Sequence, residues 1–244
     1  MPNMKKKKLK ILFFGIDFYE YEHIDVNKEY QKINDIIKKS NYKDYIELIP
    51  GFAIERENVQ QMISENHPDI IHFSGHGSKG IGPNFLGDKQ NGNKDYETEL
   101  LKILKKYKDT IKFIFFNTCY SNEIARRVSD FISYTIGVNR LTNSEGARIF
   151  SANFYELLSY GDSILNSYDF AIEKYLVFFK EESNELTYKA EKDDYGLFRD
   201  TTTSSENIED FLEINLWYEF REKFQESLKP TVDWLIKQII AQYL

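Results

Sequence analysis

Along the first 180 residues, short apolar runs alternate with stretches whose apolar positions recur at helical spacing. Ile11-Leu12-Phe13-Phe14, closed by Gly15, is continuously apolar, as a strand buried on both faces requires. Tyr30, Ile33 and Ile37 then mark a helix, Tyr45–Ile49 a second strand ended by Pro50, and Val59, Met62 and Ile63 a second helix. Ile70–Phe73 is a third strand. It is followed by a Gly/Asn/Asp-rich loop and a helix carrying Leu100, Leu101, Leu104 and Tyr107. Phe113–Phe116 and Phe131–Val138 read as the fourth and fifth strands, with Ile124 and Val128 on a helix between them. Ala147, Phe150, Phe154 and Leu157 mark a long helix ending at Gly161, and Asp162 is placed to cap the next. Strand and helix in alternation predict an α/β fold: a largely parallel sheet with helices on both faces.

Beyond residue 180 the pattern changes. Residues 181–210 hold ten acids and three bases, which accounts for the whole net charge of −7. The segment 181–206 reads as an acidic linker or loop, and 207–244 as a helical appendage with two apolar faces. One carries Trp217, Phe220, Phe224 and Leu228, the other Val232, Leu235, Ile236, Ile239, Ile240 and Tyr243. These faces call for a surface to cover, on the main domain or on a partner. The only basic cluster is Lys5–Lys8 with Lys10, at the N-terminus, so a nucleic-acid interface is not expected.

The chain of 244 residues is 41% hydrophobic, enough for a sizeable core. Cys119 is the only cysteine, which excludes a disulfide framework and a cysteine-rich zinc site and suits a reducing compartment. No apolar run of about 18 residues and no signal-peptide core are present, so a cytoplasmic protein without a membrane span is expected.

Candidate chemistry gathers at two strand ends. The third strand runs into Ser74-Gly75-His76-Gly77-Ser78 and the fourth into Asn117-Thr118-Cys119-Tyr120-Ser121. Ligands of open α/β sheets collect at the carboxyl ends of strands, and a right-handed crossover sets these two strands side by side. Gly75 and Gly77 leave room for close backbone approach around His76. A helix starting at Ser121 or Asn122 would lower the Cys119 thiol pKa, and backbone N–H groups at that turn would hold an oxyanion. A small buried cysteine and a plain tight turn are the structural alternatives. His72, inside a strand, reads as a hydrogen-bonded core residue; His23 and His67 read as incidental.

Asp69-Ile-Ile-His-Phe-Ser-Gly-His-Gly77 and Phe115-Phe-Asn-Thr-Cys-Tyr-Ser121 closely resemble the paired motifs of CHAT domains, caspase-like cysteine peptidases related to caspases and separases. Lys10-Ile-Leu-Phe-Phe is similar to the opening strand of that family. Thr135-Ile-Gly137, Glu145-Gly-Ala-Arg-Ile-Phe150 and Phe154-Tyr155 are similar to its fifth strand and the helix beyond. The resemblance spans roughly residues 9–178. It implies a caspase-like three-layer sandwich of about six strands over residues 1–180, with His76 and Cys119 as a catalytic dyad and the N–H groups of Gly77 and Cys119 as the oxyanion hole. It implies no metal and no organic cofactor for the reaction itself, a protein substrate, and a regulated effector role in bacterial conflict or stress systems under an activating partner. The residue two before the nucleophile lines the first specificity pocket in many such enzymes. Asn117 supplies no charge there, and Asp17 is a second candidate for the pocket. A catalytically silent scaffold is the rival reading; a nucleotide-binding domain is disfavoured because Gly15-Ile16-Asp17-Phe18 is no phosphate loop.

Overall fold

The computed structural model describes residues 8–16, 24–79, 82–85, 95–181 and 190–199. Asp17 and the two C-terminal helical patterns of 207–244 lie outside the described residues.

In chain order the elements are β1 (Leu9–Ile16), α1 (Val26–Lys39), β2 (Ile46–Phe52), α2 (Arg56–Asn66), β3 (Ile70–Gly75), the two-residue strands β4 (Gly77–Ser78) and β5 (Gly82–Pro83), and α3 (Asp95–Lys106). Then come β6 (Phe113–Thr118), α4 (Asn122–Val128), β7 (Tyr134–Val138), α5 (Ser144–Ser159), α6 (Ile164–Glu181), a 3-10 turn (Lys192–Asp194) and β8 (Tyr195–Arg199). The main sheet has the order β2-β1-β3-β6-β7-β8. Its first five strands run parallel, and β8 returns antiparallel to β7. The architecture is therefore an α/β sandwich, mostly parallel and six-stranded, with helices on both faces.

Alternation along the strands explains the two layers. Ile11 and Phe13 join the core beneath α1, α5 and α6, with Phe115, Phe150, Phe154 and Tyr175. Leu12 and Phe14 face the other way, into the core with Val59, Ile63, Leu104 and Val128 from α2, α3 and α4. Phe14, Phe73 and Phe116 stand in register on β1, β3 and β6 and stack at 5.2 Å between neighbouring ring centroids. On the opposite face Phe13, His72 and Phe115 stand in the same register, Phe13 stacked on the imidazole and Phe115 edge-on to it.

Caps set several helix starts. Asp25 accepts from the Lys28 N–H at α1, and Asn143 from Glu145 and Gly146 at α5. At α6 the cap is Ser163, whose Oγ accepts from Asn166 N–H, rather than Asp162, which holds the Ser163 N–H and the Asn166 amide.

Three boundaries differ from the sequence reading. β2 runs through Pro50 because it is an edge strand, where a missing N–H costs no ladder bond. The fifth strand begins at Tyr134, since Phe131 and Ile132 close a turn back onto Val128. Most consequential, residues 192–199 of the stretch read as acidic linker form the 3-10 turn and the sixth strand. Tyr195 anchors that strand in the core, stacked on Phe150 at 3.8 Å. Asp194 is fully buried, accepting from Tyr175 Oη at 2.6 Å.

Candidate active site at the tips of β3 and β6

β3 and β6 are neighbours, and their register pairs Ser74 with Asn117 and Gly75 with Thr118. The residues just beyond these pairs are His76 and Cys119, so the two candidate groups leave adjacent strand tips at the same level.

Each tip is fixed by its own chain. Gly75 has φ 132°, and a Cβ there would fall 1.8 Å from the Ile16 carbonyl oxygen, so only glycine lets β3 leave the sheet at this point. His76 N–H then donates to Ile16 O at 3.3 Å, and His76 O accepts from Asn84 N–H at 3.1 Å. Beyond Cys119 the chain turns through Tyr120 in the left-handed region, φ 56°. Ser121 Oγ donates back to Phe116 O and Thr118 O, and accepts from Val138 N–H at 3.0 Å.

This arrangement corrects the expectation of a thiol activated by a helix. Ser121 sits at the N-cap position of α4 but its hydroxyl turns into the strand and caps nothing. Burial pushes the Cys119 thiol above its ordinary value of 9.0, against the weaker lowering effect of hydrogen bonding with the Thr142 backbone. Thr142 N–H donates to Sγ at 3.5 Å, and Sγ–H donates to Thr142 O at 3.9 Å. The thiol is thus engaged with the loop between β7 and α5, and the expected contact with the His76 imidazole is not made in this form.

Beneath the tips lies a buried polar network that the motifs did not announce. Glu29 of α1 accepts from Ser74 Oγ and from Asn117 Nδ2, each at 2.7 Å, and its Oε1 lies 3.0 Å from His72 Nε2. Burial opposes the Glu29 charge, but the close approach of the His72 imidazole, then the hydrogen bonds from Ser74 and Asn117, outweigh it and hold the carboxyl below its usual 4.5. His72 Nδ1 is 3.1 Å from Tyr155 Oη, and burial followed by the nearby Glu29 charge keeps that phenol protonated far past 10.0. His72 is the hydrogen-bonded core histidine expected.

Asn117 is nearly sealed, at 4% exposure, and its amide is committed: Nδ2 also donates to Ala147 O, and Oδ1 accepts from Tyr195 Oη at 3.2 Å. It floors a crevice shared with Glu29, Ser74, Cys119, Thr142 and Arg148 whose volume, about 20 Å³, holds no more than roughly one water. A groove of about 700 Å³ lies between α2 and α3, away from this chemistry. Glu29 had a faint sequence signal: Val26, Glu29, Ile33 and Ile37 share the buried stripe of α1, so an acid stands where an apolar residue belongs.

A curated relative, a Roc-COR-CHAT protease from an unknown prokaryotic organism, is 23% identical over 163 residues. That alignment takes in 64% of this chain and 15% of the relative, so the chain spans only a small part of that protein's length. Among solved structures, a secreted C11 cysteine protease from Bacteroides thetaiotaomicron, in complex with an irreversible peptide inhibitor, superimposes with a TM-score of 0.55 at 14% identity. The match covers 80% of this chain and 67% of that one. The fold is caspase-like. Caspase-1 from Spodoptera frugiperda matches with a TM-score of 0.51 and 14% identity over 81% of this chain and 88% of its own. No protein-family profile matches the chain. The comparisons thus give the chain a caspase-like fold and a distant sequence similarity to one CHAT protease. Among the described residues, no helix is long and apolar enough to cross a membrane.

Proposed function

We propose that the chain is a cysteine endopeptidase of caspase-like type that cuts a protein substrate, with Cys119 as nucleophile and His76 as its acid–base partner. The observation carrying this reading is the side-by-side register of β3 and β6, which sends these two residues out of adjacent strand tips. His76 takes the thiol proton, and the sulfur adds to the scissile carbonyl. The N–H groups of Gly77 and Cys119 receive the oxyanion. The imidazolium then gives its proton to the departing amine, leaving a thioester that water hydrolyses. The candidates for reading the side chain before the cut are Asp17, which follows β1 in sequence, and Asn117, whose amide must first leave Glu29, Ala147 and Tyr195.

The bond between Cys119 and Thr142 and the closed crevice support a resting form that needs opening. Such a form suits a cytoplasmic effector of a bacterial defence or stress system, released by an activating protein partner. The test is a mass-spectrometric digest of candidate partner proteins by the wild type and Cys119→Ala, with and without the activating partner. New termini made only by the wild type support the reading; equal cleavage by both proteins defeats it. The same closed thiol favours a second reading, a catalytically silent scaffold, for which the digest shows no cleavage with any partner that binds.

A further inference from the structure

We propose that Glu29 is a positioning residue for the dyad: one carboxylate on α1 ties the tip of β3 to the tip of β6 and so fixes how His76 and Cys119 meet. The inference rests on the thiol-peptidase reading and deepens it.

Glu29 bonds Ser74, two residues before His76, and Asn117, two residues before Cys119, each at 2.7 Å. Ser74 and Asn117 are themselves paired across the strands, so the carboxylate spans a single rung of the sheet. Ser74 and Asn117 are each followed by one last strand residue, Gly75 and Thr118, before the chain leaves the sheet. The tie therefore acts at the base of both turns, immediately below the two candidate groups. A third contact, to His72 Nε2 at 3.0 Å, holds the carboxylate from below. Glu29 is 4% exposed, Ser74 1% and Asn117 4%, so no water competes for these bonds. Reacting groups misplaced by about 1 Å can lose on the order of a hundredfold in rate, and two strand tips with no common tie have that freedom.

The chain has a single cysteine, which makes the test direct. Two probes are applied to the full-length protein and read by intact mass. Iodoacetamide requires only the thiolate. A mixture of peptidyl chloromethyl ketones requires the assembled site, because its ketone must lie over the oxyanion donors while the sulfur displaces chloride. In Glu29→Gln the chloromethyl ketone rate is expected to fall about tenfold or more while the iodoacetamide rate stays within about twofold. Adding His76→Ala to Glu29→Gln should slow the chloromethyl ketone further by less than about threefold.

If His76→Ala slows the chloromethyl ketone and Glu29→Gln does not, the positioning role is overturned and the peptidase reading stands. If His76→Ala has no effect on the ratio of the two rates, no dyad is assembled in the isolated protein and the positioning role is overturned, while the partner digest still decides the peptidase reading. Parallel changes in both probes mean general loosening, which also overturns the proposal. Should Glu29→Gln not fold, Ser74→Ala decides: an unchanged ratio of the two rates overturns it, and a drop of severalfold supports it.

Discussion

Gly77 lies against the backbone of Cys119: a Cβ on residue 77 would sit 2.3 Å from the Cys119 carbonyl oxygen and 3.0 Å from its amide nitrogen. The turn after β3 and the turn after β6 therefore touch through main chain, with no side chain able to come between them. Any geometry in which both N–H groups face one oxygen depends on this contact.

Gly77→Ala should push the two turns apart. Overpacking of this kind costs about 1–3 kcal/mol, or roughly 2–4 °C in Tm per kcal/mol at this chain length. Wild-type cleavage, measured as the part abolished by Cys119→Ala, should drop by more than about tenfold. Thermal melts and the partner digest check the two effects; full activity with an unchanged melt would contradict the close approach.

The pH dependence of alkylation reports the resting thiol. Burial disfavours the thiolate, so the iodoacetamide rate of the isolated protein should rise with pH through a midpoint above 9.0. A midpoint at or below that value would mean that the buried thiol is not the dominant state.

Arg140 precedes Leu141 and Thr142 and forms an ion pair with the buried Asp194, whose backbone carbonyl also accepts from Asn139 N–H. This pair fastens the loop over Cys119 to the turn leading into β8. Arg140→Ala should free the loop at a cost of about 1–3 kcal/mol, because Asp194 keeps Tyr175 Oη and Glu191 N–H as donors. The iodoacetamide rate at pH 8 should increase severalfold. A slower or unchanged rate would show that the loop does not shield the sulfur.

Glu29 also makes stability pH-dependent. Its folded-state pKa is depressed, so its contribution is present above the ordinary 4.5 and is lost as pH falls through the folded value. Glu29→Gln should be less stable than wild type by about 1–3 kcal/mol near pH 7, since buried donors lose an acceptor. The gap should narrow as pH drops below 4.5 in urea titrations. A gap independent of pH would mean that the carboxyl is not ionised when folded.

The aromatic ladder is the simplest stability test. Phe73 is fully buried between Phe14 and Phe116, and Phe73→Ala should cost about 3–5 kcal/mol. Equilibrium denaturation measures it, and a loss under 1 kcal/mol would be inconsistent with the stack.

Much of the fold is written in local pattern. Continuous apolar runs such as Ile11–Phe14 and Phe113–Phe116 must be covered on both faces, so a parallel sheet between two helical layers follows from periodicity alone. The strand ends His76 and Cys119 are legible for the same reason, because polar residues and glycine interrupt the runs there. β8 was not legible. Tyr195–Arg199 is short and flanked by acids, and it becomes a strand only because β7 offers an open edge and Phe150 offers Tyr195 a stacking face.

Sequence by itself determined the layers, the neighbouring strand tips and the residue types upon them, since these depend on spacing along the chain. Only the tertiary structure decided what surrounds those residues. It sealed Asn117 with Glu29 and Tyr195, turned Ser121 away from the helix it was expected to cap, and placed the Thr142 backbone on the sulfur. The partners come from 23 or more positions away in every case but that of Ser121, and burial there sets the protonation of the Cys119 thiol and the Glu29 carboxyl as strongly as their own chemistry does.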